Sequence, residues 1–256
     1  MKKLNFTIGR FQPFTQGHVN MIEEVDGDCL VFQMIPPGLP ENLKGLKSGG
    51  RIVKKEDIEA VLNYLNSGDG DLDKCQQELT KRPFTNELIS DELNIIKKNT
   101  KQIVEVIYVK TLFDGIGKFN KYLLDNSDKY ECGFWLCGND RKDEYQPLID
   151  KYIASGEDIS IAPRSEEKYQ NVISNMTINI GNGRKDGLSG TDVRNAIISK
   201  DKSKFVKGMP NNTDIMFDKF INSFNEFKDK LQNLIKENQM VSLKDYVLEH
   251  LNSIDF

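Results

Sequence analysis

Residues 9–18 read GRFQPFTQGH, and they directly follow the short apolar segment LNFTI at residues 4–8. Gly9 lets the backbone come close to a phosphate because it has no Cβ, and Arg10 offers a planar fork of N–H donors to phosphate oxygens. Where the chain enters a helix after such a turn, unpaired backbone N–H groups and the helix dipole favour anions. The segment therefore predicts a binding loop for the phosphates of a nucleotide.

His18 lies at the start of the predicted helix, next to Gly17, and is one of only 2 histidines in the chain. A single histidine is usually a structural or surface residue. In a phosphate-binding loop, however, an imidazolium can neutralise charge that develops on a phosphate. We therefore expect His18 to be functional, whereas His250 receives no role.

A second segment, GLSGTDVRNAI at residues 187–197, combines a helix start with a cation. Ser189 and Thr191 can cap the helix that follows. Arg194 lies one turn into that helix and can hold the β- and γ-phosphates of a nucleotide. Taken alone, the segment is explained better by an ordinary capped helix with a solvated arginine. A site shared with the first loop is implied only by a family resemblance, in which two such segments occur in this order about a domain length apart.

A third segment, FWLCGNDRKDEY at residues 134–145, reads as a short apolar strand that ends at Gly138. Asp140 can cap the helix that begins near Arg141. Trp135 invites a base-stacking role, but its place inside a strand favours the hydrophobic core.

The strings GRFQPFTQGH, CGNDR and SGTDVR resemble the signatures of the HxGH/TxGH nucleotidyltransferase superfamily, which is cytidylyltransferase-like and related to the class I aminoacyl-tRNA synthetases. The first string is similar to the GRFQPF form of NMN adenylyltransferases. Thr15 departs from that form, which usually has His there, and matches the phosphopantetheine adenylyltransferases instead. The longer strings around CGNDR and SGTDVR resemble the phage-encoded, NMN adenylyltransferase-like members.

This resemblance implies a transfer of AMP from ATP to NMN, in which pyrophosphate leaves and NAD is formed, with Mg²⁺ carried by the triphosphate. It also implies catalytic roles for His18, Thr15 and Arg194, and a sugar or substrate contact for Asp140. The nucleotide-binding residues that it implies are Gly9, Arg10, Phe11, Gly17, Gly138, Asp140, Ser189 and Thr191.

Two alternatives stay open. Thr15 favours transfer of CMP or AMP to a small phosphate-bearing acceptor other than NMN. In an alternative of a different class, the fold is a catalytically weak nucleotide-binding or assembly module that uses an insertion and a phenylalanine-rich C-terminal segment for interaction. For the enzyme, the expected partners are ATP and a small phosphate-bearing acceptor, NMN in the first place.

Composition narrows the class of protein. The formal net charge over 256 residues is −4 and no long basic run occurs, so no nucleic-acid partner is expected. No stretch approaches the roughly 18 apolar residues that span a membrane, and the start MKKLNFTIGRF lacks the apolar core of a signal peptide. We expect no membrane partner and a cytoplasmic location, which is the host cytoplasm if the chain is phage-encoded.

No metal site is expected. The 4 cysteines have neither CxxC spacing nor histidine neighbours, so they read as buried apolar residues in a reducing compartment. The aspartates at 69, 71 and 73 imitate the start of an EF-hand loop, but Lys74 and Thr80 replace its turn glycine and its bidentate glutamate. This segment reads as a solvated turn.

Strands and helices alternate along the chain, as in parallel βαβ units. Strands are predicted at 4–8, 29–35, 103–109, 133–137, 158–162 and 176–180, and helices at 19–25, 87–99, 116–124 and 142–153. The expected fold class is α/β: a Rossmann-like nucleotidyltransferase fold with a parallel sheet, an insertion after strand 2 and a helical C-terminal extension.

The expected nucleotidyltransferase domain is 1–210, with the insertion at 38–83, and the helical C-terminal extension is 211–256. The insertion contains LKSGGR, which is predicted to be a mobile surface loop. A loop that closes over phosphates is the weaker alternative. A helix is predicted after it, at 55–66. The extension predicts a long amphipathic helix, then a shorter one capped by Ser242. It covers the domain or forms an interface, so a homo-oligomer through the insertion or the C-terminal helices is expected.

Overall fold

The structure is a computed structural model that describes residues 1–35, 43, 45–68, 70–138, 141, 143–147, 177–180 and 188–251, the side chains of 177–180 and 238–251 excepted. Three predictions lie outside these residues. They are the strand at 158–162, the distal part of the helix at 142–153 and the position of Asp140.

The centre of the fold is a five-stranded parallel sheet with the spatial order β5-β2-β1-β6-β7. Its strands are β1 (Lys2–Gly9), β2 (Asp28–Met34), β5 (Ile103–Val109), β6 (Tyr130–Cys137) and β7 (Thr177–Ile180). Two short strands, β3 (Lys47–Ser48) and β4 (Arg51–Ile52), form a separate hairpin. After β1, the chain adds β2 and β5 on one side of it and then β6 and β7 on the other side. The strand order therefore reverses between β1 and β6. The predicted Rossmann-like α/β class is confirmed, and ligands in such sheets bind beyond the carboxyl ends of the strands at the reversal.

Helices flank the sheet. They are α1 (Gln16–Glu23), α2 (Lys55–Ser67), α3 (Lys74–Thr80), α4 (Asn86–Asn99), α5 (Leu112–Asp125), α6 (Gly190–Ile198), α7 (Lys202–Gly208) and α8 (Phe217–Leu251). Residues 143–147 are helical as well. Most predicted elements are present with shifted ends. None of the described helices combines the length and apolar character that crossing a membrane requires.

One face of the sheet packs against α5. Leu4, Phe6 and Ile8 alternate along β1 and point to this face, where they are buried. The ring centroid of Phe6 lies 4.3 Å from that of Phe119 in α5 and 5.4 Å from that of Trp135 in β6. The aromatic cluster confirms that Trp135 belongs to the core, since its side chain is fully buried.

Asn5 bridges three strands where the pairing of β1 with β6 is irregular. The register shifts on either side of Asn5, so the regular ladder is interrupted there. Its Nδ2 donates to the carbonyls of Asp26 (2.9 Å) and Asp28 (3.2 Å), and its Oδ1 accepts from the Phe134 N–H (3.0 Å). The buried amide thus binds the Phe134 N–H of β6, next to the irregularity, and carbonyls at the start of β2 on the other side.

The opposite face is covered by the insertion, α4 and the C-terminal helices, which share one hydrophobic core. The side chains that α2 contributes are Ile58, Val61, Leu62 and Leu65. Those of α8 recur at helical spacing and are Phe217, Phe220, Phe224, Phe227, Leu231 and Leu234. The C-terminal helix therefore covers the sheet domain, and the insertion helix packs against it.

The extension differs from its prediction in two details. Residues 217–251 form one helix, so the predicted second helix capped by Ser242 is wrong. The segment NQMVSLKDY at 238–246 contains neither glycine nor proline, so nothing in it interrupts a helix. The apolar spacing of the extension also predicts Ile215 in the buried stripe of the long helix, but Ile215 lies in a 3-10 turn at Asp214–Met216 and is 74% exposed.

The LKSGGR segment, predicted as a mobile surface loop, contains the β3–β4 hairpin. Gly49 and Gly50 form its turn with φ of 55° and 90°, a region that favours glycine. The Arg51 guanidinium binds both carboxylate oxygens of Asp57 at 2.6 Å and one oxygen of Asp73 at 2.6 Å. These ion pairs fasten the hairpin to α2 and to the start of α3.

We expect Leu231→Ala to lower the free energy of unfolding by about 2–5 kcal/mol, because it leaves a cavity in the core beneath α8. Leu231 is fully buried. Urea denaturation followed by circular dichroism measures the change. Asp229→Ala, at an exposed position of the same helix, is the matched control and should stay within about 0.5 kcal/mol of the unmodified chain. Equal effects of the two substitutions would show that α8 does not contribute to the core.

Candidate active site

The carboxyl ends of β1 and β6 lie side by side at the point where the strand order reverses. Thr7 pairs with Leu136 in the parallel ladder, which places Gly9 and Cys137 at the same edge of the sheet. The first loop leaves from Gly9, and Gly138 follows Cys137 directly. Two of the segments singled out in the sequence therefore meet at the position where this class of sheet binds ligands.

Phe11 shapes the first loop. Its φ of 45° lies in the left-handed region, which side chains rarely adopt. A Cβ on Gly9 would lie 2.9 Å from the Phe11 ring, so only glycine leaves room for that ring. The ring is buried, with its centroid 4.7 Å from that of Phe14 and 5.2 Å from that of His18. The structure thus places Phe11 as a packing partner of the His18 ring.

His18 is held by the backbone of Thr15, the residue that caps α1. The Thr15 N–H donates to His18 Nδ1 at 2.9 Å, and the Thr15 hydroxyl oxygen lies 3.0 Å from the same nitrogen. A backbone N–H can only donate, so Nδ1 must offer a lone pair, and the imidazole carries its proton on Nε2. In this arrangement His18 is a neutral donor, not the imidazolium expected from the sequence. The cap also explains why α1 begins earlier than predicted.

Gln12 joins the first loop to the turn at residues 82–85. Its Oε1 accepts from the Phe84 N–H at 3.1 Å, and its Nε2 donates to the Phe84 carbonyl at 3.4 Å. The side chain is buried, with 5% exposed. This reciprocal pair satisfies both polar groups of the amide and fixes the loop against the start of α4. Our reading of the sequence did not single out Gln12, although it lies inside the motif.

Arg194 reaches the first loop from the other end of the chain. Its Nη1 donates to the Gln12 carbonyl at 2.7 Å, and its Nη2 donates to the Thr191 hydroxyl at 2.9 Å. Burial lowers the pKa of Arg194, but a guanidinium stays charged near neutral pH. The arginine is therefore not the solvated residue of an ordinary capped helix. The structure brings the first and second motifs into direct contact.

The start of α6 lies beside the same loop. Ser189 caps it as predicted, whereas Thr191, the other predicted cap residue, lies inside the first turn, where its hydroxyl accepts from Arg194. The Ser189 hydroxyl accepts from the Asp192 N–H at 3.2 Å, and the Asp192 carboxylate accepts from the Ser189 N–H at 2.8 Å. At Gly190, a Cβ would lie 3.8 Å from the Gln12 carbonyl oxygen. The N-termini of α1 and α6 thus both adjoin the first loop, and Gly17 lies in the first turn of α1.

The Arg10 side chain is directed toward the insertion. Its Nη1 lies 3.4 Å from Glu78 Oε2 on α3, a loose ion pair. The Arg10 carbonyl accepts from Gln33 Nε2 at 2.9 Å, which ties the loop to the end of β2. Arg10 therefore lies between the motif loop and the insertion, on a different part of the site from Arg194.

Glu92 is a buried carboxyl that supports the first loop. Both of its carboxyl oxygens lie close to the Phe14 N–H, at 3.1 and 3.2 Å, and the residue is fully buried. Burial raises the pKa of Glu92 well above its usual value, and the Phe14 hydrogen bond only partly opposes this. The sequence analysis did not identify Glu92. The signal was its position within the apolar stripe of α4, beside Leu88, Ile89, Leu93 and Ile96, since a carboxyl in such a stripe indicates a buried acid.

One cluster with the spacing of metal ligands lies outside this site. In the described part of the chain it consists of Asp57, Asp73 and Cys75, whose ligand atoms lie within 4.8 Å of one another. The Arg51 guanidinium already binds both carboxylates, so it supplies the positive charge there. Asp73 also accepts from the Gln76 N–H and caps α3, while its side chain remains exposed.

No protein-family model matches the chain, and no curated protein matches it. Among solved structures, the chain is similar to a candidate nicotinate-nucleotide adenylyltransferase from Vibrio parahaemolyticus, with 12% sequence identity and a TM-score of 0.45. The superposition covers 85% of this chain and 99% of the other. A likeness of this degree does not indicate the activity of this chain.

The buried carboxyl of Glu92 predicts a pH dependence of stability. Its folded-state pKa is raised above the ordinary 4.5, so its contribution to stability is fully present below pH 4.5 and is lost as the pH rises through the folded-state pKa. Glu92→Gln keeps an acceptor for the Phe14 N–H but does not ionise. The stability of this variant relative to the unmodified chain should therefore increase with pH above 4.5.

Urea denaturation at several pH values between about 4 and 8 measures this difference. Glu87→Gln, at an exposed position in the first turn of the same helix, is the matched control and should show no such trend. A constant difference between Glu92→Gln and the unmodified chain would mean that Glu92 is ionised in the folded protein.

Proposed function

We propose that the chain is a nucleotidyltransferase that binds a nucleoside triphosphate where the first loop, α1 and α6 meet. The observation that supports this most is the 2.7 Å hydrogen bond from Arg194 to the Gln12 carbonyl. It joins two motifs that are 182 residues apart at the reversal point of a parallel sheet. Two helix N-termini and a guanidinium adjoin the same loop, which is a favourable environment for a triphosphate.

The chemistry is a single displacement at phosphorus. An oxygen of the acceptor phosphate attacks the α-phosphorus in line, and the bond from that phosphorus to the bridging oxygen of the β-phosphate breaks. The electron pair of that bond leaves with pyrophosphate. The protein supplies no nucleophile, because positioning and charge stabilisation provide most of the catalysis in such a transfer.

His18 and Arg194 have distinct tasks in this proposal. His18 donates from Nε2–H to an oxygen of the α-phosphate as negative charge develops, and Thr15 fixes the tautomer that makes this donation possible. Arg194 holds oxygens of the leaving phosphates. Ser189 fixes the start of α6 and Thr191 orients the guanidinium. Mg²⁺ arrives bound to the triphosphate as part of the substrate and neutralises phosphate charge.

We assign ATP as the donor and NMN as the acceptor, which makes the product NAD. The GRFQPF form of the first motif and SGTDVR of the second support this assignment. Transfer of AMP or CMP to another small phosphate is the second candidate. Thr15 favours it, because the NMN adenylyltransferase form of the motif usually has His at this position. Thr15 is only 3% exposed and its hydroxyl lies against His18, so other residues have to recognise the acceptor.

The reaction is tested by incubating the purified chain with magnesium, each of the four nucleoside triphosphates and a panel of phosphate-bearing acceptors that includes NMN. We expect pyrophosphate release with ATP and NMN, detected by a coupled phosphate assay, and NAD detected by absorbance after enzymatic reduction. Release with a different pair would select the second candidate. Binding of a triphosphate without any release would leave the chain as a nucleotide-binding module.

His18→Ala should lower the turnover number by about 100-fold or more, because one preorganised donor to the developing charge is lost. Steady-state kinetics with the active pair measures the change, and circular dichroism checks that the variant is folded. Glu23→Ala, at the exposed end of the same helix, is the control and should keep full turnover. Unchanged turnover in folded His18→Ala would remove His18 from the mechanism.

A further inference from the structure

A cavity lies on the insertion side of the first loop. It has a volume of about 670 Å³ and is enclosed by the β3–β4 hairpin, α3, the turn at residues 82–85, the start of α4 and α8. We call it the insertion pocket. Its size is in the range of pockets that hold small ligands. Arg10 is the residue of the first loop that lines it, so the pocket adjoins the candidate active site.

The insertion pocket is cationic, although the whole chain is acidic. Two carboxylates line it, those of Glu78 and Glu87, against five cationic side chains, which are Arg10, Lys47, Lys74, Arg82 and Lys230. The chain itself has a formal net charge of −4. A concentration of positive charge in one concave place of an acidic protein favours an anionic ligand.

Arg82 is the cation that this environment satisfies least. It is half-buried, and within the described residues it has neither a hydrogen bond nor an ion pair. Burial and the neighbouring Arg10 both lower the pKa of Arg82, while Glu78 opposes them. Glu78 itself already pairs with Lys81 and with Arg10. Glu78 is therefore already engaged, and an anion beside Arg82 would supply the countercharge that this guanidinium lacks among the described residues and would offset the nearby charge of Arg10.

The floor of the insertion pocket is apolar. Leu79, Phe84 and Phe227 line it and are each less than 10% exposed. Phosphate alone would leave this floor uncovered, whereas a ligand with a ring or another apolar body would cover it. The lining therefore matches a molecule with an anionic end and an apolar body, and not a free inorganic anion.

The pocket is rigidly connected to the first loop. The turn that carries Arg82 continues into Phe84, and Gln12 binds both backbone polar groups of Phe84. The Thr85 N–H, in the same turn, donates to the Ser223 hydroxyl of α8 at 3.1 Å. A ligand held by Arg82 would thus have a fixed position relative to the loop that carries His18.

We propose that the insertion pocket binds the acceptor, a small phosphomonoester with an apolar body, and that Arg82 and Arg10 hold its phosphate. Its role as the acceptor site rests on the proposed transferase function, but the binding does not. The insertion and α8, which lie outside the sheet, then determine acceptor specificity.

Binding is measured by calorimetry and by ¹⁵N NMR with three probes: phenyl phosphate, inorganic phosphate and benzyl alcohol. Phenyl phosphate combines a phosphomonoester with a ring, and the other two each lack one half. We expect phenyl phosphate to bind most tightly and to shift the backbone amides of residues 46–50 and 84–86. NMN is titrated in parallel as a physiological phosphomonoester.

Arg82→Met should weaken the binding of phenyl phosphate by about tenfold or more, because a charge-assisted contact is lost. Lys230→Met removes an exposed charge at the rim and should weaken it by about two- to fivefold. Two controls should bind as the unmodified chain does: Lys228→Met, on α8 outside the lining, and Lys98→Met, at the far end of α4.

The outcomes separate this proposal from the transferase itself. His18→Ala should lose turnover and still bind phenyl phosphate. In the active enzyme, Arg82→Met should raise the KM for the acceptor by about tenfold and change the KM for the triphosphate by less than about twofold. If the unmodified chain binds neither phenyl phosphate nor NMN at about 10 mM, or if Arg82→Met and Lys230→Met both bind like the unmodified chain, the pocket proposal is wrong. Retained binding without any transfer reaction would refute only the transferase.

Discussion

The arrangement of the site depends on the buried amide and carbonyl of Gln12. The side chain binds both backbone groups of Phe84, and the carbonyl accepts from Arg194, so one residue connects three distant segments. Each bond satisfies a polar group that has little access to water, and removing a partner would leave buried groups unpaired, which costs more than the bond itself contributes. The first loop is therefore fixed on two sides, toward the insertion and toward α6. A loop with this support can present His18 in one orientation.

Charge is distributed unevenly around this loop. On one side Glu92 is buried, has no cationic partner among the described residues and accepts from the Phe14 N–H. On the other side the charge of Arg10 acts on Arg82, and Glu78, which opposes it, already pairs with Arg10. Neither arrangement is explained by stability, because a buried carboxyl and a pair of neighbouring guanidinium groups both oppose folding. Such groups are typical of places where a protein holds a loop in position or binds a ligand of opposite charge.

The insertion and the C-terminal helix are structurally part of the site. They share the core on one face of the sheet, and α8 contacts the turn of Arg82 through Ser223. The phenylalanine stripe of α8 explains this role, since its rings pack inward into the core of the sheet domain. A segment that looks like an appendage in the sequence thus closes a wall of the insertion pocket.

The sequence alone determined the α/β class, most strands and helices and the cap at Ser189, because alternation, helical spacing and capping are local patterns. It also identified the two motifs as candidates for one site. Only the tertiary structure decided that Arg194 binds the first loop, that Arg10 turns toward the insertion and that Thr15 sets the tautomer of His18. These outcomes depend on which distant backbone groups become neighbours when the parallel strands align, and no local pattern encodes that. The insertion pocket could not be predicted from the sequence for the same reason, because its walls come from four separate parts of the chain.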